Sequence, residues 1–405
     1  MTGSITIVGG VYREYCMHPL WREIYGSAGR AATAIARYGV PIDLYSFLDD
    51  QSKSVMEERA ALEGFSVRPT MIPKATTFSY VHGLAVPTID VPSTASEAIK
   101  VAAEKLIRFG TIEGQVLCTA KMAVFDPQSG SNPEPYGASG STAERLALIL
   151  NRAEARQLSG MRSESLEEVA SKLCADQNAE VVVIKMGPSG ALVFSGNKYE
   201  IVPPYKTPRV SKIGTGDVFA AEFGYFWMHE NLSAIEAAGH ASKATAFYCE
   251  TGGAPTRKKL QAYKPAELIT SKRFQSGYKP VVYLAGPFFT LAELWLIEEA
   301  RNNLLSLGLN VFSPYHDVGR GSAEDVVQRD LDGLELCDVV FAVVDGLDAG
   351  TLYEVGYARS IKKPVVAYAE NESIEDLKML VGSGCIVSDD YVSAIYQALW
   401  AAAEL

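Results

Sequence analysis

The sequence lacks the charge pattern of a nucleic-acid-binding protein. Its 405 residues contain 37 Lys and Arg against 48 Asp and Glu, which gives a formal net charge of −11. The longest basic run is Arg257-Lys258-Lys259, whereas proteins that bind a phosphate backbone present a larger basic patch or stripe. We therefore expect a small-molecule partner and no nucleic acid.

Long apolar runs and paired cysteines are also missing. No segment approaches the roughly 20 consecutive apolar residues of a transmembrane helix, so we expect no membrane partner. The six cysteines form no C-x-x-C motif and have no histidine at zinc-site spacing, which indicates reduced thiols. The first residues predict a short apolar strand followed by a glycine turn, and they contain no basic region typical of a signal peptide. Together these absences predict a cytoplasmic location.

The length and composition favour two globular domains. Hydrophobic residues make up 48% and charged residues 21% of the chain, as in ordinary globular proteins, and single cores stop growing beyond roughly 250–300 residues. Two stretches, Ile5–Gly10 and Val281–Gly286, share a short apolar strand followed by a glycine turn. The basic, polar segment 256–279 predicts a linker. We therefore expect domains at 1–255 and 280–405.

Both halves alternate predicted strands with predicted helices. In the first half we predict a helix over 28–38, a buried strand over 181–186 and an apolar helix over 216–227. In the second half the predicted strands are 281–285, 309–312, 338–344 and 364–369, and the predicted helices are 290–307, 323–336, 351–361 and 389–403. This alternation predicts an α/β fold class, with two domains that each have a mostly parallel sheet, helices on both faces and ligands at the carboxyl ends of the strands.

A glycine-rich turn in the first half precedes an acidic residue. Gly214-Thr215-Gly216-Asp217 stands at the start of the apolar helix, so its backbone N–H groups and the helix dipole would face an anion. Phosphoryl transfer needs such positioning, together with a base for the proton of the attacking hydroxyl. The pattern also fits a plain glycine turn in which Asp217 only stabilises the helix N-terminus.

Five motifs follow one another along the first half. They are Gly26–Gly39, Asn151–Glu154, Val181–Phe194, Gly214–Phe219 and Gly252–Pro255. In this order they resemble the PfkB, or ribokinase-like, family of sugar and nucleoside kinases. The resemblance implies a ribokinase-like fold, ATP and Mg²⁺ as cofactors, and Asp217 as the catalytic base. It also implies an anion hole at Gly214 and Gly216, cofactor contacts at Gly187 and Gly190, substrate contacts at Gly26 and Arg30, and a magnesium and phosphate region at Asn151 and Glu154.

The sequence departs from that family at the sugar end of the site. Arg30 stands where the family usually has Asn, Glu14 replaces the usual Asp of the first strand, and Ser211-Lys212-Ile213 replaces an acidic-Thr-Thr lead. Either the phosphate acceptor is not an ordinary sugar, or the domain binds a nucleotide or nucleoside without turning it over. Arg30 could contact an anionic acceptor or cover a helix surface. The Asn151-x-x-Glu154 spacing also fits a helix capping box.

A second group of acidic residues follows a predicted strand in the second half. Asp345 and Asp348 come after strand 338–344, and Glu354 falls in the next helix. Because ligands bind at the carboxyl ends of parallel strands, these carboxylates would converge on one ligand. The spacing Thr351-x-x-Glu354 also fits a capping box, in which Glu354 would only bond the N-cap amide.

Four motifs in the second half support a second family resemblance. They are Tyr283–Phe289, Asp330–Leu334, Asp338–Val344 and Asp348–Ala358. From 281 to 400 the chain resembles the nucleoside 2-deoxyribosyltransferases and their relatives, the nucleotide N-glycosidases. This implies a flavodoxin- or Rossmann-like fold without a cofactor, Glu354 as a nucleophile at the anomeric carbon and Tyr283 as the residue that orients it. Asp330 and Asp348 would hold the base or supply its proton, and Gly286, Phe288 and Phe289 would contact the substrate.

The residue types suit cleavage of an N-glycosidic bond, because a carboxylate stabilises and can trap an oxocarbenium-like state. Phe288 and Phe289 also fit simple core packing. Asp348 favours a nucleoside over a nucleotide, since a carboxylate repels a phosphate. We expect a bifunctional enzyme that acts on a nucleoside, nucleotide or sugar and forms a homo-oligomer. In the alternative, the first domain is a catalytically silent sensor that regulates the second.

Overall fold

The computed structural model describes residues 3–91, 97–128, 132–163 and 165–405. The chain divides into two compact units. The first runs to Thr207 and continues from Ser211 to Ala266, and the second contains Pro208–Val210 and Glu267–Leu405. Val210 joins the second unit because its N–H donates to Ser393 Oγ at 2.9 Å. The change from one unit to the other at Ala266 falls within the segment 256–279 that the sequence predicts as a linker.

The first unit contains a mainly parallel nine-stranded sheet in the order β13-β12-β11-β10-β9-β8-β1-β4-β5. β1 runs parallel to β4 and β8, and β10 runs parallel to β9 and β11. The β11–β12 and β12–β13 pairs at one edge of the sheet are antiparallel. The strands of this unit are β1 (Ile5–Val8), β2 (Arg13–His18), β3 (Trp21–Ile24), β4 (Ile42–Leu48), β5 (Ser66–Met71), β6 (Thr77–His82), β7 (Thr88–Asp90), β8 (Ile99–Phe109), β9 (Val116–Asp126), β10 (Thr142–Asn151), β11 (Val181–Lys185), β12 (Ala191–Ser195), β13 (Lys198–Val202) and β14 (Tyr205–Lys206).

Helices cover this sheet and bury its apolar strands. One core cluster joins the sheet to α1, α5 and α6, and a second joins it to α3 and α4. The helices are α1 (Gly26–Ala36), α2 (Asp50–Glu63), α3 (Arg152–Ser159), α4 (Leu166–Gln177), α5 (Thr215–Gly224), α6 (Ala234–Thr251) and α7 (Arg257–Ala262). A smaller four-stranded sheet, in the order β3-β2-β6-β7, stands beside the large one in this unit.

The second unit is a five-stranded, fully parallel sheet in the order β17-β16-β18-β19-β20. Numbered from its own first strand, this is the order 2-1-3-4-5 of flavodoxin-like folds. The strands of this sheet are β16 (Val281–Ala285), β17 (Asn310–Phe312), β18 (Val339–Val343), β19 (Val365–Tyr368) and β20 (Ile386–Ser388), and β15 (Ala266–Glu267) lies at the boundary, outside the sheet. The helices of this unit are α8 (Lys272–Gln275), α9 (Leu291–Ser306), α10 (Ala323–Leu336), α11 (Ala349–Ser360), α12 (Lys378–Gly382) and α13 (Tyr391–Ala403).

The predicted α/β class with mainly parallel sheets is confirmed, and the element bounds differ in detail. The predicted helix 216–227 ends earlier, because α5 gives way at Tyr225 to a π-helical turn that reaches His229. The Tyr225 ring stacks on Tyr38 at 4.4 Å, so aromatic packing accompanies the change. Within the described residues, no helix is long and apolar enough to cross a membrane.

Candidate active sites

The candidate site of the first unit is built around the N-terminus of α5. Gly214 is the N-cap residue and has a positive φ of 84°. A Cβ at this position would lie 2.2 Å from Arg30 Nε, so only glycine fits between the turn and the guanidinium. Asp217 lies in the first turn of the helix. The Thr215 N–H donates to the Lys212 carbonyl oxygen at 3.3 Å, whereas the N–H groups of Gly216 and Asp217 have no acceptor within the helix and can meet an anion.

Both carboxylate oxygens of Asp217 are hydrogen-bonded. Arg30 Nη1 donates to Asp217 Oδ2 at 2.7 Å, and Gln128 Nε2 donates to Oδ1. Arg30 comes from α1 and lies 187 residues away in the chain. The aspartate predicted as a catalytic base is therefore ion-paired in this arrangement, and a hydroxyl that approaches it must share or displace these donors.

The Arg30 guanidinium is buried and hydrogen-bonded to neighbouring side chains. It is 3% exposed, donates from Nη2 to Glu14 Oε2 at 2.6 Å and from Nε to Tyr248 Oη at 3.2 Å. Burial raises the pKa of Glu14 above its ordinary value, although the Arg30 guanidinium opposes this. The alternative in which Arg30 merely covers a helix surface is wrong, because the side chain is buried between two carboxylates.

Asn151 and Glu154 form a complete capping box at the start of α3. The Glu154 N–H donates to Asn151 Oδ1 at 2.9 Å, and the Asn151 N–H donates to Glu154 Oε2 at 2.8 Å. Across the described ranges no group of three or more His, Cys, Asp or Glu side chains is arranged to hold a metal ion. The magnesium role inferred from the resemblance stays a prediction. Mg²⁺ is usually held by one or two carboxylates plus substrate phosphates, and of these two residues only Glu154 offers a carboxylate.

The predicted glycine contacts have structural reasons of their own. A Cβ on Gly26 would lie 2.5 Å from the Gly10 carbonyl oxygen, and one on Gly190 would lie 2.0 Å from the Val202 carbonyl oxygen. Gly187 and Gly190 belong to the connection between β11 and β12. Gly216, with Lys185 Nζ 3.4 Å from its Cβ position, borders a charged group at the start of α5, as Gly214 does with Arg30.

The sequence interpretation missed two cationic residues at this site. Lys185 ends β11 and pairs with Asp126, which ends β9, at 2.5 Å. Lys212 precedes α5, and its Nζ lies 3.4 Å from Thr215 Oγ1. The sequence signal for Lys185 was its position near the end of the predicted strand 181–186, two residues before Gly187.

The candidate site of the second unit centres on Glu354. Tyr283 is fully buried on β16, and its hydroxyl donates to Glu354 Oε1, on α11, at 2.6 Å. Burial raises the pKa of Glu354 to about 7. The Tyr283 hydrogen bond opposes the shift, and the Asp330 and Asp348 carboxylates add to it. The structure therefore brings together the four residues that the sequence predicts as catalytic in this half.

The capping alternative for Glu354 is wrong. The N-cap of α11 is Asp348, whose Oδ2 accepts from the Thr351 N–H at 2.8 Å and from Thr351 Oγ1 at 3.0 Å. Glu354 lies beyond the first turn and bonds Tyr283 instead. Asp348 therefore has a structural function besides any contact with a ligand.

Asp330 contributes a second unusual carboxyl group. It lies on α10, its Oδ1 is buried, and it has no hydrogen-bond partner among the described residues. Burial raises the pKa of Asp330, with a smaller opposing effect from Arg329. Buried polar atoms are nearly always paired, so this oxygen is available to a ligand group.

Two groups of aromatic side chains pack together in this unit. The Phe288 ring lies 5.2 Å from Phe289 and 5.2 Å from Tyr315, and Phe312 stacks on Tyr283 at 5.5 Å. Phe289 is 69% exposed, so the core-packing alternative is wrong for it. A Cβ on Gly286 would lie 2.7 Å from Ile297 Cδ1, which explains the glycine by close packing. Tyr315 lies in a π-helical turn, Pro314–Val318, and the sequence interpretation missed it because this turn carries no motif.

Comparison with known families agrees with this division. Residues 143–259 match the model of the pfkB family carbohydrate kinases, and residues 282–389 match the model of the nucleoside 2-deoxyribosyltransferases. Both resemblances seen in the sequence are thereby confirmed. The chain therefore contains one region similar to the pfkB family carbohydrate kinases and a second region similar to the nucleoside 2-deoxyribosyltransferases. No curated protein matches the chain.

Solved structures show the fold of the larger part. A fructokinase from Vibrio cholerae O395, solved with fructose, ADP and calcium, is similar with a TM-score of 0.51 and 18% identity, over 65% of this chain and 99% of its own. A putative ribokinase from Agrobacterium tumefaciens is similar with a TM-score of 0.50 and 13% identity, over 65% of this chain and 97% of its own. At these identities the likeness establishes the ribokinase-like fold alone.

Proposed function

We propose that the C-terminal unit breaks the N-glycosidic bond of a nucleoside or deoxynucleoside, with Glu354 as the nucleophile. The observation that carries this is the 2.6 Å hydrogen bond from the buried Tyr283 hydroxyl to Glu354 Oε1, beside two further carboxyl groups. A hydroxyl that bonds one oxygen fixes the carboxylate and leaves the other oxygen for the anomeric carbon. The match of residues 282–389 to the deoxyribosyltransferase model supports the same chemistry.

The residues divide the reaction into two steps. Glu354 attacks the anomeric carbon, the bond to the base nitrogen breaks, and its electron pair leaves with the base, which takes a proton from Asp330. The glycosyl ester on Glu354 is then attacked by water or by a second base. Glu354 must be ionised for the first step, and its pKa of about 7 places that ionisation near neutral pH. Asp330, whose pKa is raised by burial, is suited to carry the proton.

The charge of the site favours a nucleoside over a nucleotide. Glu354, Asp330 and Asp348 place three carboxyl groups near one another, and such a group repels a phosphate. The exposed Phe289, with Phe288 and Tyr315, offers aromatic faces for a base.

A nucleoside and nucleotide panel tests this assignment. Free base, or an exchanged base when a second base is added, should form with the wild-type chain and not with Glu354→Gln. Glu335→Gln is a matched control, because Glu335 also accepts from a tyrosine, Tyr357, on the surface of the same unit. Base release that is equal in Glu354→Gln and Glu335→Gln would contradict the assignment.

We further propose that the N-terminal unit phosphorylates a hydroxyl of a sugar or nucleoside with ATP, with Asp217 as the base. The support is the position of Asp217 in the first turn of α5, behind a glycine N-cap, with Lys185 and Lys212 nearby. Mg²⁺, when bound, would neutralise charge on the nucleotide phosphates, and we propose Glu154 as the carboxylate that would assist it. The match of residues 143–259 to the PfkB model agrees with this reaction.

One observation favours a second candidate, a unit that binds a nucleotide or nucleoside without phosphoryl transfer. Arg30 and Gln128 occupy both oxygens of Asp217, and Arg30 replaces an asparagine of the family motif. A sensor should bind ATP or a nucleoside in calorimetry, alter base release, and transfer no phosphate. Phosphoryl transfer that disappears in Asp217→Asn would reject this candidate.

A further inference from the structure

Two ionic side chains meet at the carboxyl edge of the large sheet. Asp126 ends β9 and Lys185 ends β11, on either side of β10. Lys185 Nζ lies 2.5 Å from Asp126 Oδ2, the Asp126 side chain is 0% exposed, and that of Lys185 is 17% exposed. Burial alone would lower the pKa of Lys185, but the Asp126, Glu154 and Asp217 carboxylates together outweigh this and raise it. The lysine is therefore kept charged with a small part of its surface open.

The Lys185 ammonium lies over the first turn of α5. Its Nζ is 3.4 Å from the position that a Cβ would take on Gly216. The first-turn N–H groups of α5 and the positive end of its dipole lie at the same place. A glycine at 216 leaves room for the ammonium and for a ligand oxygen beside it.

Lys212 brings a second positive charge to the same turn. Its Nζ lies 3.4 Å from Thr215 Oγ1, and no carboxylate of the described residues forms an ion pair with it. Burial lowers the pKa of Lys212, and the Lys185 ammonium adds to this shift. Two ammonium groups and a helix N-terminus repel one another unless an anion lies between them.

Asp126 itself has an unused oxygen. Its Oδ2 bonds Lys185, whereas its Oδ1 is buried without a partner among the described residues. Glu154 and Asp217 both act on Asp126 and Lys185 electrostatically, so the pair belongs to the region around the proposed base. A buried carboxylate oxygen needs a donor, which a bound ligand can supply.

We propose that Lys185 and Lys212 bind the phosphoryl group that is transferred at α5, and that Asp126 is the positioning residue that holds Lys185 over Gly216. This inference rests on the proposed kinase function. In the transfer, the acceptor oxygen forms a bond to the γ-phosphorus, the bond from that phosphorus to the β-γ bridging oxygen breaks, and the hydroxyl proton passes to Asp217. The nucleoside diphosphate leaves, and both lysines stay protonated throughout.

The test compares Lys185→Met, Lys185→Arg, Lys212→Met, Asp126→Asn and Asp126→Glu with Lys198→Met. Lys198 is an exposed lysine of the same sheet. MgATP binding is measured by calorimetry, and kcat and the KM values for ATP and for the acceptor are measured separately. Circular dichroism and thermal unfolding of the same preparations report whether each variant has folded.

Lys185→Met and Lys212→Met should weaken MgATP binding or lower kcat by about tenfold or more, because a hydrogen bond to a charged group is lost. Their acceptor KM should change little. Lys185→Arg should recover part of the loss. Asp126→Asn should lower kcat at an unchanged acceptor KM, and Asp126→Glu should recover part of the loss, which a purely structural role would not predict.

Two results would overturn the inference, and they differ. If the wild-type chain transfers phosphate and Asp217→Asn stops it, while Lys185→Met equals Lys198→Met in every constant, the lysine assignment alone is wrong. If the wild-type chain neither binds MgATP nor transfers phosphate, the kinase proposal is wrong and the lysine assignment falls with it.

Discussion

The key carboxylates of the two candidate sites have opposite electrostatic surroundings. Asp217 is ion-paired with Arg30, and its other oxygen accepts from Gln128. Glu354 accepts from the neutral Tyr283 hydroxyl, and burial, with smaller contributions from the Asp330 and Asp348 carboxyl groups, raises its pKa. The role of a carboxyl group follows from its neighbours. A neutralised aspartate suits a site for a polyanionic nucleotide, whereas an uncompensated glutamate suits a site that meets a developing cation.

The largest expected effect is the loss of base release when Glu354, the uncompensated carboxylate, is replaced. Glu354→Gln removes the nucleophile, so base release should fall by about 10⁴-fold or more, measured by chromatography of a nucleoside digest. Glu335→Gln should stay close to the wild type. A Glu354→Gln chain that retains a tenth of the wild-type rate would show that Glu354 is not the nucleophile.

The next largest effect is the loss of phosphorylation when Asp217, the ion-paired carboxylate, is replaced. Asp217→Asn removes the proposed base, and ATP-dependent phosphorylation should fall by about 10³-fold, measured by transfer of labelled γ-phosphate. Asp50→Asn is the matched control, since Asp50 is also an acidic residue in the first turn of a helix. Equal rates in the two variants would remove Asp217 from the mechanism.

The pH dependence of stability tests the raised pKa of Glu354. Glu354 ionises near pH 4.5 when unfolded and near pH 7 when folded, so the folded state binds more protons between these values, and stability falls as the pH rises through this window. Glu354→Gln should therefore stabilise the chain at pH 8 relative to pH 5, by at most about 3 kcal/mol. Denaturant unfolding at both pH values measures this. An equal effect at both would contradict the raised pKa.

The smallest effect concerns the residue that orients Glu354. Tyr283→Phe removes a hydrogen bond worth about 1.5–3 kcal/mol to a charged group, and that bond lowers the pKa of Glu354. The rate of base release should fall about tenfold, and its rise with pH should move to higher pH. Tyr368→Phe, which removes a similar bond to Glu370, should leave the pH profile in place.

Local motifs made much of the fold and both key acids predictable. The periodicity of 323–336 predicts α10 with its observed bounds, and the turn Gly214–Asp217 and the acid Glu354 stand in recognisable motifs. The partners could not be predicted, because they come from distant parts of the chain. Arg30 reaches Asp217 across 187 residues, and Lys185 reaches Asp126 across 59.

Short or polar elements also escaped prediction. α12 and β20 have five and three residues, too few to show a hydrophobic period. The capping alternatives show a related limit. Asn151 and Glu154 do form a capping box, whereas Glu354 fits the same spacing and bonds Tyr283 instead, so spacing alone could not separate the two cases.

The central claim is that Glu354 forms a covalent bond to the sugar. The most direct measurement is mass spectrometry of the wild-type chain mixed with a deoxynucleoside and quenched in acid. The account predicts a deoxyribosyl adduct on the peptide that contains Glu354, absent in Glu354→Gln. Rapid base release with no adduct on that peptide, or with an adduct on another residue, would contradict it.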